Sequence, residues 1–352
     1  MSDAFKDIEF ACRTTPVSPD CEEWSFAPAC RMPDEGDAHL VCTDGSSFDP
    51  CVARFSGDFF SIADGALEYA LIQYSSMHFI ERLECASRRF EGTPFAADPL
   101  GEGDAGLVDA DPLFSFESLD CMTYVEQVLA LASGAQDFSG FLGELLDIRY
   151  VGGLSTYGAR KHFVSADWVP ENAASGRIED VTARVGGDAT RRISIAIDRS
   201  RWVGERTDLS RPQKEAASFD LLEIGKIGLR EVALDYIPSS AFLGKVDGDV
   251  HNTMIDALPE VSIVLFVRHQ KAASDLGIIV GHMGFLLTPK RADGSRGEPI
   301  LRHSSSKYGA VIEEPFLPYL DSQQKYRAGV TVLDILEKPA FSRSRHIKTA
   351  AR

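Results

Sequence analysis

The chain has 352 residues, enough to bury a large core as one elaborated domain or two smaller ones. Hydrophobic residues make up 44% and charged residues 25%, a globular composition, and no apolar run approaches the roughly 20 residues that span a bilayer. With 53 acidic against 36 basic residues the net charge is −17, which argues against nucleic acid or an anionic membrane face as a general partner and suits a neutral or cationic small substrate.

The first residues, MSDAFKDIEF, lack the basic stretch and apolar run of a secretory signal. The expectation is a cytoplasmic protein, or a periplasmic one if the true start lies upstream. Residues 1–60 read as an irregular extension punctuated by Pro16, Pro19, Pro28, Pro33 and Pro50. It holds Cys12, Cys21, Cys30, Cys42 and Cys51, five of the seven cysteines, without a Cys-x-x-Cys pair. Disulfides formed in an oxidising compartment and scattered reduced thiols both fit that spacing better than structural zinc does.

From Ile62 to Arg89, Leu67, Leu71, Tyr74 and His78 give one or two amphipathic helices, ended by a turn at Gly92 and Pro94. His78 reads as a surface or packed helix residue. A Gly-, Pro- and Asp-rich connection then leads into FESLDCMTYVEQVLALAS at 116–133. Here Cys121, Val125, Val128, Leu129 and Ala132 fall on one helical stripe, with Asp120 or Ser118 as N-cap and Gly134 ending the run. Cys121 therefore lies in the first turn, where the positive end of the helix favours thiolate over thiol. That makes it a candidate nucleophile if a histidine reaches it, while inert core filling is the other reading of such a cysteine.

A second helix is expected at about 138–146. Arg149 to Asn172 crowds Arg149, Tyr157, Arg160, His162, Asp167 and Trp168 among three glycines, a loop able to lay an aromatic face and a guanidinium against a sugar or a carboxylate. A solvated loop anchored by one Trp is the plainer alternative. Residues 173–225 are charged and poorly patterned, except for an alternating strand at 193–198. Beyond them the period becomes that of strands, at 228–242, 261–269, 278–288, 299–306, 310–316 and 329–336, with a hairpin connection over 289–299. These predict a largely antiparallel sheet or partly closed barrel. His282 and His303 fall within it, and a helix-borne cysteine followed by strand histidines is the chain order of Cys–His hydrolases with an orienting third group.

The sequence resembles the NlpC/P60 superfamily of cysteine peptidases, within it the N-acetylmuramoyl-L-alanine amidase-like branch. The matching residues are Gly92-Thr93-Pro94-Phe95, Asp120-Cys121-Met122-Thr123-Tyr124-Val125-Glu126, Arg149-Tyr150, Tyr157, Arg160, His162, Asp167-Trp168, Tyr236-Ile237-Pro238, Gly248-Asp249, His282-Met283-Gly284-Phe285 and His303-Ser304-Ser305-Ser306. The resemblance covers roughly residues 62–336. It implies an α+β, papain-like fold in which an N-terminal helical lobe carries the cysteine helix and packs on a mainly antiparallel sheet. The expected division is a helical lobe at 61–150, a substrate-loop insertion at 149–225, a β-rich lobe at 226–340 and a tail at 341–352.

It also implies hydrolysis of the amide between N-acetylmuramic acid and L-alanine in peptidoglycan or its fragments, with neither metal nor organic cofactor. Cys121 would be nucleophile, His282 base and His303 the orienting member. Asp120, Tyr157, Arg160, His162 and Trp168 would shape the substrate pocket. Three departures stand out: Phe163 where tyrosine is expected, Ser304 where alanine is usual, and no export signal in a family whose members are typically exported. The rivals are a γ-D-glutamyl-diamino acid endopeptidase, for which Asp120 could read a free amine, a zinc module using Cys121, His282 and His303, and a non-catalytic muropeptide-binding module.

Overall fold

The computed structural model describes residues 67–199, 228–244, 249–291 and 294–338, together with four short strands nearer the N-terminus. Those strands, β1 (Phe10–Cys12), β2 (Ala29–Arg31), β3 (Val41–Cys42) and β4 (Ala53–Phe55), form a separate antiparallel sheet in the order β3-β2-β1-β4. The remaining expectations for residues 1–60, for 200–225 and for the 341–352 tail lie outside the described residues.

Four longer helices lead into the main sheet. They are α1 (Leu67–Ser76), α2 (Phe79–Arg88), α3 (Cys121–Leu131) and α4 (Phe138–Arg149). The stripe predicted for α3 is buried from Val125 to Ala132, but so is the rest of the helix from Thr123 to Leu131, because other elements cover it on every side. Val125, Val128 and Leu129 each contribute roughly 1.5–3 kcal/mol by leaving water. His78 is the residue immediately before α2.

The sheet contains β5 (Ile178–Asp180), β6 (Arg191–Asp198), β7 (Leu229–Pro238), β8 (Val261–Arg268), β9 (Val280–Leu287), β10 (Ile300–Ser305), β11 (Ala310–Pro315) and β12 (Arg327–Ile335). Its order is β11-β10-β9-β8-β12-β7-β6, β5 pairs with the far end of β12, and every pairing is antiparallel. The class is therefore α+β, a helical layer on an open antiparallel sheet.

Strand β8 is buried along Val261–Val267, as a central strand covered on both faces must be. Its Ile263, Leu265 and Val267 join the core beneath α1–α4, and Val264 and Phe266 join a second core on the opposite face. That second core is closed by α5 (Asp249–Ala257) and α7 (Phe316–Gln323), while α6 (Gln270–Leu276) links β8 to β9. Among the described residues no helix is long and apolar enough to cross a membrane.

Candidate active site

Helix α3 is seated by two devices. Asp120 caps it, its Oδ1 accepting from Met122 N–H at 3.0 Å and Thr123 N–H at 2.8 Å, while Thr123 Oγ1 accepts from Asp120 N–H at 3.0 Å. Such a reciprocal box satisfies donors that a helix start otherwise leaves open. The Gly92–Phe95 segment then holds the residue before the cap: Leu119 N–H donates to Pro94 O at 3.0 Å and Ala96 N–H to Leu119 O at 3.2 Å. The same segment is tied to β11 through Gly92 N–H to Val311 O and Val311 N–H to Thr93 O.

Cys121 meets the sheet where β9 and β10 part. Their pairing runs from Leu287–Ile300 to Phe285–Arg302 and stops there. Gly284 permits the last close approach, since a Cβ at that position would lie 2.7 Å from His303 Cβ and 2.8 Å from Arg302 O. Ser304 Oγ donates to Leu119 O at 2.7 Å, fixing the chain entering α3 against the freed end of β10. The backbone N–H groups of Met283, Cys121 and Met122 lie near enough to the sulfur to favour its thiolate.

The two strand histidines stand on the sheet face shared by Leu286 and Leu301, and their hydrogen bonds set each other's tautomer. Glu314 Oε1 lies 2.9 Å from His303 Nε2, and His303 Nδ1 lies 2.6 Å from His282 Nε2. A carboxylate can only accept, so His303 Nε2 carries a proton and its Nδ1 accepts. His282 Nε2 must then be the donor, which leaves its Nδ1 with a free lone pair. Glu314 sits diagonally across the β10–β11 ladder from His303, whose direct neighbour is Ile312. Phe266 stacks on His282 with ring centroids 5.6 Å apart, and Tyr319 of α7 packs on His303 at 5.1 Å.

Burial in this aromatic setting decides the charges. It lowers the pKa of His282 to about 3, helped by His303 and Arg327, and it lowers that of His303 against the pull of Glu314. Cys121 is pushed up to about 12 by burial first and by Asp120 second, with the three N–H groups opposing. The thiolate expected from the helix position is thus outweighed by desolvation, and the resting site holds a neutral thiol and neutral imidazoles. A thiolate and an imidazolium formed together in contact would offset each other's desolvation.

Cys121 and His282 line one cavity of about 250 Å³ with Met122, His162, Phe163, Val280 and Arg268. A second, of about 210 Å³, is lined by Asp98, Asp120, Thr123, Glu126, Arg149, Arg160 and Lys161 and shares Met122 and His162 with the first. Arg160 is committed to carboxylates, with Nε to Glu102 at 2.8 Å and Nη2 to Asp109 at 2.7 Å. Burial works against its charge, yet Glu102 and Asp109 hold its pKa above the ordinary value. His162 Nε2 donates to Tyr157 O at 2.8 Å, and burial, Arg160 and Arg199 hold its pKa well below the usual 6.5.

The structure thus brings Cys121, His282 and His303 together, with Asp120 and His162 on the adjoining walls and Arg160 in the second cavity. Trp168 is placed differently from the expectation of a substrate contact. It is 0% exposed and donates its Nε1–H to Glu126 at 3.1 Å, and Glu126 in turn accepts from Arg149 Nε at 2.8 Å. Tyr157 is likewise buried, under the Arg160 guanidinium. Both support the second cavity from behind, because no surface of the indole and almost none of the phenol is open to a ligand. The predicted loop there is a succession of short helical turns, Val151–Gly153, Tyr157–Ala159, Val164–Trp168 and Val169–Ala174.

Among the described residues no group of three or more His, Cys, Asp or Glu is arranged to hold a metal ion. The nitrogens facing one another between His282 and His303 are hydrogen-bonded rather than aimed at a common centre. Cys85 on α2 is disulfide-bonded, and Cys121 is a free thiol.

The AmiA-like family, described as N-acetylmuramoyl-L-alanine amidase-like, matches residues 85–330. The chain belongs to this family. Solved structures share the fold: a Legionella pneumophila strain Philadelphia 1 protein is 23% identical with a TM-score of 0.69, covering 79% of this chain and 96% of its own. An N-acetylmuramoyl-L-alanine amidase from Bacteroides uniformis is 24% identical with a TM-score of 0.52, over 73% of this chain and 98% of its own. A candidate xylanase from Bacteroides fragilis is 25% identical with a TM-score of 0.51, over 71% and 99%. No curated protein matches the chain. The family makes this an N-acetylmuramoyl-L-alanine amidase-like protein, and the solved structures share its fold.

Proposed function

We propose that the chain is a cysteine hydrolase of papain-like, NlpC/P60 type that cleaves the amide between the lactyl group of N-acetylmuramic acid and L-alanine. The observation that carries this reading is the ordered series His282, His303, Glu314, whose tautomers leave a lone pair on Nδ1 of His282, a residue that lines one cavity with Cys121. Glu314, a residue the sequence reading did not single out, is the anchor of that series.

As substrate binds, the Cys121 S–H proton passes to His282 Nδ1 while sulfur bonds to the lactyl carbonyl carbon. The cap uses the N–H groups of Met122 and Thr123, so Cys121 N–H is the first-turn donor beside the developing oxyanion. His282, now an imidazolium donating through His303 toward Glu314, protonates the alanine nitrogen, and the C–N bond breaks to leave a thioester. Water then gives its proton to His282 and adds to the thioester carbon, the C–S bond breaks, and the thiol recovers its proton. The products are a muramic acid carboxylate and a free amine on L-alanine.

Two observations weigh against the neighbouring chemistries. Asp120, which could read the free amine for a γ-D-glutamyl endopeptidase, has Oδ1 engaged by the cap. Glycoside hydrolysis calls for two available carboxyl groups across the scissile bond. Here Glu126, Glu102 and Asp109 are bound to Arg149 and Arg160. The test is mass spectrometry of products from disaccharide-peptide fragments incubated with the protein and with Cys121→Ala. A free peptide beginning at L-alanine, absent with the variant, is expected, and cleavage inside the peptide would move the assignment to an endopeptidase.

A further inference from the structure

Arg268 lines the cavity that holds Cys121, and Arg327 faces it from the neighbouring strand. Arg268 ends β8, Arg327 opens β12, and the two are direct partners in the antiparallel ladder. Like charges directly opposite on neighbouring strands destabilise a sheet. Yet among the described residues neither guanidinium is ion-paired: Arg327 Nη2 donates to the carbonyl of Gly281 at 3.1 Å, and Arg268 Nε is buried with no partner. Both converge on Gly281, the residue before His282. A Cβ there would lie 2.8 Å from Arg327 Cζ and 2.9 Å from Arg268 Cζ, so the missing side chain is what lets the two heads approach. Burial lowers the pKa of both, and Arg268 lowers that of Arg327 further.

Arg302 shows how this fold treats a buried guanidinium that has only a structural task. It bonds Glu313, lies 3.3 Å from Glu91, and donates to Glu84 O at 3.0 Å. The Arg268–Arg327 pair has no such set, and Arg268 opens into the cavity that holds Cys121 and His282. A cost of this kind, placed beside a reactive centre, is offset when an anion arrives, because guanidinium groups bind carboxylates with planar, charge-assisted hydrogen bonds.

We propose that Arg268 and Arg327 together bind a free carboxylate on the leaving peptide, one residue beyond the scissile amide, so that the enzyme selects stem peptides in which D-glutamate keeps its α-carboxylate. This rests on the amidase reading, in which the acyl half, a sugar and its lactyl arm, carries no carboxylate apart from the carbonyl under attack. The anion must then belong to the amine half. There, a D-glutamate linked through its side chain presents a free α-carboxylate, and its amidated form presents a carboxamide.

The test compares two disaccharide-peptides that differ only in D-glutamate against D-isoglutamine, with the intact protein, Arg268→Gln and Gly281→Ala. The native protein should favour the acid by about 10-fold or more in kcat/KM, the size expected of hydrogen bonds to a charged group. Arg268→Gln should collapse that ratio to within about threefold, chiefly through KM. Gly281→Ala keeps both charges but moves them, and should also reduce the ratio. Equal cleavage of both substrates by the native protein would overturn the subsite while leaving the amidase reading intact. Equal slowing on both substrates by Arg268→Gln would also overturn it, since that is the mark of a cation that only steadies the thiolate. Absence of any Cys121-dependent cleavage would remove the amidase reading and this proposal with it.

Discussion

Two cavities share Met122 and His162, and their cations are managed in opposite ways. In the second cavity Arg149 and Arg160 are bound to Glu126, Glu102 and Asp109, so its polarity is fixed and nearly cancelled within the fold. In the first, Arg268 shares the cavity wall with Cys121, and among the described residues neither it nor its ladder partner Arg327 is ion-paired. The difference teaches that an arginine's presence in a pocket says little about recognition until its partners are counted. A guanidinium paired with carboxylates shapes a wall, and one without an ion pair can read a ligand.

The contrast can be broken from several sides. The largest effect is expected at the nucleophile: Cys121→Ala should lower kcat by at least about 10⁴-fold, as removal of a covalent catalyst does, with the thermal melt little changed. Next is the cavity whose arginines are ion-paired. Arg160→Met leaves two carboxylates behind, one of them fully buried, and should cost about 3–5 kcal/mol in a urea titration, whereas Arg268→Gln relieves repulsion and should leave the urea midpoint level or higher. Were both variants equally destabilised, the distinction between the two arginine sets would fail.

Glu314→Gln preserves the shape of the acid but frees the His303 tautomer. A kcat loss of about 100-fold with KM nearly constant is expected in steady-state assays, and an unchanged kcat would show that His303 needs no anchor. The smallest effect concerns pH. His282 must be neutral to act, and with its pKa lowered to about 3 the acid limb of kcat/KM should lie below about pH 5 rather than near the 6.5 of an unperturbed imidazole. Stability follows the same group with a defined sign. Its folded pKa is below the unfolded one, so the unfolded chain takes up the proton first. Its contribution is complete above about pH 6.5 and is lost as pH falls toward 3, which urea midpoints between pH 7 and 4 would track.

Much of this was legible in the sequence because it is local. The apolar stripe of α3, its Asp120 cap and the strand periods from 228 onward are patterns within a dozen residues, and the structure reproduces them. The resemblance carried Cys121, His282 and His303, which no local pattern would have joined. What escaped is what only register creates. Glu314 lies beside Glu313 in sequence, yet strand alternation sends one to His303 and the other to Arg302. Arg268 and Arg327 become neighbours only because β8 pairs with β12. Helices α6 and α7 are short inserts between strong strand signals, too brief for a helical period to stand out. Trp168 looked like a ligand platform because composition does not reveal that a tryptophan is fully enclosed.

The protonated state of the Cys121 sulfur, on the wall of an open cavity, also bears on the protein's redox durability. Disulfides form and persist where thiols are readily oxidised, and this chain contains one at Cys85. Exchange and oxidation both begin from the thiolate, and a thiol held near 12 offers almost none of it between turnovers. Its protonation, rather than any barrier to access, is what makes this sulfur slow to react with oxidants and stray disulfides.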